Sequence, residues 1–496
     1  MATVSCAPIP SHVGPQGCTV RRWPPVPLLA GLCAFLFFYG LGAGELYKTE
    51  SLRAIVAAEF LRSGDWVVPR LYGEPLLTKP PGAYAAIALA SWPFGGVTEW
   101  TARLPSAAAA TLVVFLVHNC FRRHFGALGG LVAAAVLPAS MMWLAAAPSA
   151  EIDMLQLAWV AGAVLCFVRA VERRETGGRR AEWLWLQAAL LCVAGGALTK
   201  WTAPAFFYLM AIPFLLWRRR LSLLWSWPHL LSVLVAILPC LAWTAAVVCR
   251  VGWGPLTDTV SREALQHLSP LHHARPYPWG EVVTFPLLFL AANLPWSGAA
   301  LLTLHPGFAR LWDERGRRLL QALHCWVWPN LLFWSVVPGH HFRHGLPLQP
   351  GLAGLAAMAW IAWLTGRWRW PLPGLKAGRV FVGLLAAWLV VKVAYVQVIV
   401  PDREGGRSAR ATAARIAALV PEGDVLYLCD LKDEGILFYY GRPARRVGSL
   451  RDLAGMGKPV YCVLTVEEWR ARPGAALLWL RDEQGDPMVL ARTAAE

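Results

Sequence analysis

Long apolar runs separated by short basic loops dominate this chain and leave it one kind of fold. Runs begin near Pro25, Leu104, Gly126, Ile152, Trp183, Ala203, Pro228, Gly280, Leu319, Leu346 and Val380. About eleven of them are long enough to cross a bilayer at roughly 20 residues each. Backbone groups in hydrocarbon must satisfy their own hydrogen bonds, so each run is expected to be a helix. At 57% hydrophobic and 15% charged over 496 residues, the chain is too apolar for a soluble globule. The expected fold class is a polytopic α-helical membrane protein with about 11 to 13 membrane helices, counting the shorter segment Pro80 to Phe94 at the interface.

The net charge of +16 does not point to nucleic acid, because the arginines sit in short loops between spans. Arg21-Arg22, Arg122-Arg123, Arg173 to Arg180, Arg218 to Arg220, Arg310 to Arg318 and Arg367 to Arg369 fall on one face if Pro80 to Phe94 does not cross. The positive-inside rule makes that face cytoplasmic, with the N-terminus inside and the C-terminus outside. Met1 to Pro24 ends in a basic pair before the first run, and no small-residue cleavage site follows Leu41, so the first span is expected to be uncleaved.

The other face collects nearly every group able to do chemistry. The loop from Gly44 to Gly82 carries Glu45, Glu50, Arg53, Glu59, Asp65, Glu74 and Lys79, far more than a connector needs. Thr49 is expected to cap a helix starting near Glu50, and Gly64 to end it. Leu52, Ile55, Val56, Glu59 and Phe60 form one side of that helix, and Glu50 and Arg53 are neighbours on its surface, three residues apart. An ordinary surface ion pair accounts for that spacing as well as a catalytic pair does. Lys79 precedes Pro80-Pro81, where it could meet a lipid phosphate or snorkel at the interface. Glu151 and Asp153 open a span, where they could be active acids or helix caps.

Arg262, Glu263, His267, His272, His273 and Arg275 share a second loop, and His340, His341, Arg343 and His344 a third. So many imidazoles could hold a divalent metal, yet no HxxxH on a recognised helix supports one. Binding of phosphate or diphosphate by these arginines and histidines is the better fit. The eleven cysteines lie mostly inside apolar runs without metal-ligand spacing, and only Cys429 and Cys462 fall in a polar setting where a disulfide could form. Beyond Pro401 the β-like runs VLYLCD and PVYCVLTV and the helix-like ARATAARIAALV suggest a small α/β domain over 401–496, following a membrane domain over 1–400.

GELYKTESLRAIVAAEFLRSGDWVVPRLYGEPLLTKPPGAY, EWTARLPSAAAATLVVFLV, PSAEIDML, PYPWGEVVTFPLLFLAANLPWS and HHFRHGLPLQPGLAGL together resemble the GT-C glycosyltransferases. The likeness is to the branch holding the lipid A aminoarabinose transferase and the protein O-mannosyltransferases. It covers most of the membrane part, and SGDWVVPRLYGEPLLTKPP is its most specific stretch. The resemblance implies a polyprenyl-phosphate-linked sugar donor, an extracytoplasmic active site and a first-loop acid acting on the acceptor hydroxyl. The family pattern Asp-Glu-x-Arg is altered here: counting back from Ser63 puts Thr49 at the Asp and Glu50 at the Glu. Its spacing survives only with a one-residue slip that makes Glu50 the acid and Arg53 the arginine. Lys79 matches the family lysine although Thr78 replaces the Glu before it, His344 stands at a family Tyr, and His340 or His341 near a family Lys.

The function expected from the sequence is transfer of a sugar from a polyprenyl phosphate to a lipid, glycan or protein hydroxyl, with inversion. Glu50 is the expected base, and Arg53 and Lys79 are expected to neutralise the departing phosphate. Lys79, Arg262, His267, Arg275, Arg343 and His344 are expected on the donor phosphate, with Glu151, Asp153, His340 and His341 as further candidates. No cofactor is implied beyond the open question of a divalent metal. The rival readings are a transporter or lipid flippase, which predicts charges inside spans and inverted repeats, and an inactive scaffold, which the altered first-loop motif would suit. Lys392 is the main charge within an apolar span, and no repeat is present. If the sidedness is right, an impermeant thiol reagent added outside will label a cysteine introduced within 401–496. Labelling only after permeabilisation would overturn the topology.

Overall fold

The computed structural model describes residues 25–268, 277–338, 341–369, 371, 373–405, 408–429, 434–447, 459–471, 474–482 and 485–493. All eleven apolar runs are helical. In chain order the helices are α1 (Pro25–Cys33), α2 (Thr49–Ser63), α3 (Gly82–Ser91), α4 (Glu99–Val136), α5 (Met141–Ala146), α6 (Ile152–Glu175), α7 (Arg179–Ala197), α8 (Ala203–Trp217) and α9 (Trp227–Val251). They continue with α10 (Trp253–Leu268), α11 (Trp279–Ala291), α12 (Trp296–Leu302), α13 (Glu314–Val336), α14 (Gln349–Leu364), α15 (Ala377–Ala394), α16 (Val400–Gly405), α17 (Ala409–Leu419) and α18 (Glu434–Tyr440). Among the described residues, by length and composition alone, five helices are long and apolar enough to cross a membrane, or six if the bent pair α11–α12 is one span. The sequence count is higher because it includes the 15-residue α8 and the still shorter Val26–Phe38, counts the two arms of α4 separately, and takes in α7 and α13.

Gly126 explains how α4 supplies two of the expected runs. Its φ of 72° and ψ of −169° break the helix there, a conformation open to glycine. The two arms fold back so closely that a Cβ at Gly130 would lie 2.9 Å from the His118 carbonyl oxygen. One continuous core then joins α1, both arms of α4, α6, α8, α13 and α14. Gly40 serves a second close approach, since at φ 71° it leaves room for Val396, whose Cγ1 would be 2.5 Å from an added Cβ. That contact seats the end of α15 against the chain leaving α1.

The basic loops around Arg174, Arg218 and Arg318 meet at one end of the bundle, while Arg21-Arg22 lies outside the described residues. Arg218 bridges Glu175 and Glu314 at 3.1 and 2.9 Å, Arg318 also pairs with Glu175, and Arg174 donates to Glu182 at 2.7 Å. The acids, Lys200 and the 341–346 turn gather elsewhere, around the first loop.

Past α17 lies a five-stranded sheet of β3 (Leu426–Leu428), β4 (Ala444–Arg446), β5 (Tyr461–Thr465), β6 (Ala475–Arg481) and β7 (Pro487–Arg492), counting the short hairpin β1 (Arg70–Leu71) and β2 (Glu74–Pro75) as the first two strands. Its order is β4-β3-β5-β7-β6, with β3 parallel to both β4 and β5 and the remaining pairs antiparallel. No disulfide joins Cys462 to Cys429, contrary to the bond the sequence allowed, because Cys462 points into the sheet core toward the Ala491 carbonyl. Helix α18 packs on α2, and Phe438 joins the cluster around Phe60 and Tyr84. Glu45 completes the joint: its carboxylate accepts from Ser408 Oγ and Ala409 N at 2.7 Å and from Arg410 N at 3.2 Å, capping α17 from the first loop. Glu45→Ala removes this cap, worth on the order of 1 kcal/mol, and amide exchange in the first turn of α17 will accelerate. Unchanged exchange there would show that the joint does not depend on it.

Candidate active site

Thr98 and Thr101 start the site by capping α4 reciprocally: Thr101 N donates to Thr98 Oγ1 at 3.2 Å, and Thr98 N to Thr101 Oγ1 at 2.9 Å. Arg103 therefore stands near the start of the helix, directly beneath the first loop. Its Nε and Nη2 donate to Glu50 Oε1 and Oε2 at 2.9 and 3.0 Å. Its other donors reach the carbonyls of Leu41, Ala43, Gly44 and Glu45 at 2.8 to 3.2 Å. A single buried guanidinium thus gathers the whole entry of the loop.

Glu50 is saturated by this arrangement. Besides Arg103 it accepts from Tyr47 N at 3.0 Å and Ala150 N at 2.8 Å, so both oxygens are engaged and a third segment is tied in. Burial alone would raise its pKa, but the Arg103 charge and the converging donors outweigh burial and hold it below the usual carboxylate range. The expected Glu50–Arg53 neighbour pair does not form. Arg53 faces Glu151 instead, Nη2 to Oε2 at 4.0 Å, and lies over the Tyr84 ring at 5.8 Å. The expected Thr49 cap is also replaced: Lys48 occupies the N-cap with a left-handed φ of 52°, and no side chain caps α2 there. Gly64 does end the helix, in the left-handed conformation.

Glu151 precedes α6 at its N-cap, yet its side chain turns away from the helix. It accepts a hydrogen bond from Thr49 Oγ1 and lies 3.5 Å from Arg343 Nη1. Burial raises its pKa above the ordinary value; Arg53 and Arg343 oppose that rise, and neighbouring Asp153 adds to it. Asp153 has its own partner, Lys200 Nζ at 2.6 Å, with Arg343 Nε at 3.8 Å. These groups open on a cavity of about 630 Å³, lined by Glu151, Asp153 and Arg343 and also by Lys392, Tyr395 and Val396 of the α15 segment.

Of the remaining candidates, His341 lines this cavity. Lys79 is half-buried at a bend ahead of Pro80 and is not among the lining residues, nor is half-buried His344. Arg262 lies exposed on α10, where its Nε donates to the Asp258 carbonyl at 3.2 Å. The side chain of His267, together with Arg275 and His340, falls outside the described residues. Among the described residues no three His, Cys, Asp or Glu side chains are grouped to hold a metal.

Residues 78–243 match the family model described as dolichyl-phosphate-mannose-protein mannosyltransferase. Undecaprenyl phosphate-α-4-amino-4-deoxy-L-arabinose arabinosyl transferase of Pseudomonas aeruginosa (strain UCBPP-PA14) is 31% identical over 324 residues, covering 62% of this chain and 55% of that relative. A Pseudomonas fluorescens (strain Pf0-1) protein of the same name, numbered 1, is 28% identical over 392 residues, covering 77% and 65%. The chain therefore spans about half to two thirds of the length of these curated relatives. Its backbone superposes on the crystal structure of ArnT from Cupriavidus metallidurans bound to undecaprenyl phosphate with a TM-score of 0.75, at 20% identity, covering 95% of this chain and 98% of that one. The chain has the GT-C fold.

Within this GT-C fold the altered first-loop motif has a structural counterpart. Thr49 Oγ1 donates to Glu151, so an acid from the start of α6 reaches the first-loop hydroxyl that the resemblance sets against an acid. Sequence reasoning passed over Arg103 as a site residue, although a charge at the edge of an apolar run was signal enough to find it. It also missed the pairing of Lys200 with Asp153, for which the sequence carries no local sign.

Replacing Arg103 with Met strands a buried carboxylate and should cost about 3 to 5 kcal/mol, read as a lower melting temperature in detergent. Adding Glu50→Gln to it should restore much of the loss. Because Glu50 is held low, its contribution is complete at neutral pH and disappears as pH falls from the free carboxylate value, roughly 4.3, through the lower folded one. A double variant no more stable than Arg103→Met alone would contradict the clamp.

Proposed function

We propose that this protein is an integral-membrane glycosyltransferase that moves a sugar from a polyprenyl-phosphate carrier to an acceptor hydroxyl outside the cytoplasm. The observation that carries this reading is Glu151: a carboxylate with a raised pKa, facing a cavity between two arginines in a GT-C fold. In the proposed step the acceptor oxygen attacks the anomeric carbon, the bond from that carbon to the phosphate oxygen breaks with its electron pair going to the phosphate, and Glu151 takes the acceptor proton. One displacement inverts the anomeric centre, and the phosphate needs no general acid to leave. Arg53 and Arg343 are proposed to neutralise its charge, with Lys79 a further phosphate contact on the strength of its motif position.

Glu50, favoured by its loop position, is assigned here to holding the site's shape. Its oxygens are occupied and its pKa is lowered, which suits a clamp better than a base. The cavity is proposed to open on the extracytoplasmic side of an inner membrane, with the N-terminus in the cytoplasm. Residues 1–400 would then form the transferase domain and 401–496 an outer α/β domain. The clustering of basic loops away from the cavity supports that sidedness.

Glu151→Gln keeps shape but removes basicity, so turnover should fall on the order of 10²- to 10⁴-fold while donor binding persists. In the native protein activity should be lost as pH falls through the raised Glu151 pKa, placing the acid limb above that of an ordinary carboxylate. Normal turnover by Glu151→Gln would end this assignment.

A further inference from the structure

Lys392 is the charge that neither the clamp nor the proposed base uses. It belongs to the apolar segment Ala377–Arg403, only 11% of whose most apolar window is buried. Val382, Val390 and Val398 are exposed on it, as suits a lipid-facing helix. Along α15 only Phe381 and Lys392 are buried, and Lys392 is 1% exposed. The helix thus turns apolar groups outward and its one mid-span cation inward, onto the cavity.

No described residue gives Lys392 a hydrogen bond or an ion pair, whereas Asp153, Glu151 and Glu50 each have a cationic neighbour elsewhere. A buried ammonium without a counter-charge is costly, and an anion entering the cavity would offset that cost. The same helical face continues through Val396 and Val400 to Arg403, all lining the cavity. Leu288, Ala291 and Leu346 add further apolar lining. A cation set beside apolar walls fits the head of an amphiphile.

We propose that Lys392 holds the phosphate of a membrane lipid within the cavity that Arg343 also lines. The proposal deepens the transferase reading and rests on it only for which lipid enters, as donor carrier or as phosphate-bearing acceptor. Its test is binding, without sugar transfer. Wild type, Lys392→Met and Lys392→Arg in nanodiscs are titrated with undecaprenyl phosphate in one arm and with lipid A in the other, with undecaprenol as the uncharged control. Met suits an apolar helix, and unchanged undecaprenol binding confirms that the variant is folded.

Lys392→Met should lose roughly 10-fold or more in affinity in one arm, as expected for a charge-assisted contact, and Lys392→Arg should retain most of it. The arm that responds identifies the lipid. Wild-type affinity of Lys392→Met in both arms overturns the proposal, as does an equal loss of undecaprenol binding. A wild-type protein that binds through Lys392 yet transfers no sugar would leave this inference standing and remove only the transferase reading.

Discussion

The Glu50–Arg103 pair is the contact on which the functional face depends. A guanidinium has five donors in a fixed plane, and Arg103 directs them to one carboxylate and four loop carbonyls. Through Ala150 the same carboxylate fixes the approach to α6 and so the position of Glu151. The chain from Leu41 to Glu50 would otherwise need many separate partners for its polar backbone beside hydrocarbon. One ion pair meets that need and also sets the register between the first loop and two helices.

Two glutamates within one site consequently have different chemistry. Glu50 is surrounded by donors and stays ionised; Glu151 is buried with looser partners and is more easily protonated. Environment, not residue type, separates a clamp from a candidate base. Thr49 belongs to the same division of labour, because its hydroxyl donates to Glu151 from the first loop.

The second unit is joined to the first at the same loop. Glu45 caps α17, Tyr439 Oη accepts from Leu46 N at 2.9 Å and donates to Glu99 Oε1 at 2.9 Å, and α18 covers α2. Loop, clamp and sheet therefore brace one another. A disturbance at any of them reaches the cavity through only a few hydrogen bonds.

The sequence by itself determined the membrane class, the helical character of the long apolar runs and the GT-C resemblance. Those features are written in runs of about 20 residues and in short motifs, which are local. It also singled out Glu50, Arg53, Glu151, Asp153 and Arg343 as members of one region. Only the tertiary structure decided who pairs with whom. Glu50 and Arg53 are neighbours by spacing, yet each found a partner across the fold: Arg103 lies 53 positions from Glu50, and Glu151 lies 98 from Arg53. Such pairings follow from how helices cross, and helix crossing is set by packing of side chains far apart in the chain. The inward turn of Lys392 was hidden for the same reason: its apolar neighbours show that the helix meets lipid, but not which side of it meets the cavity.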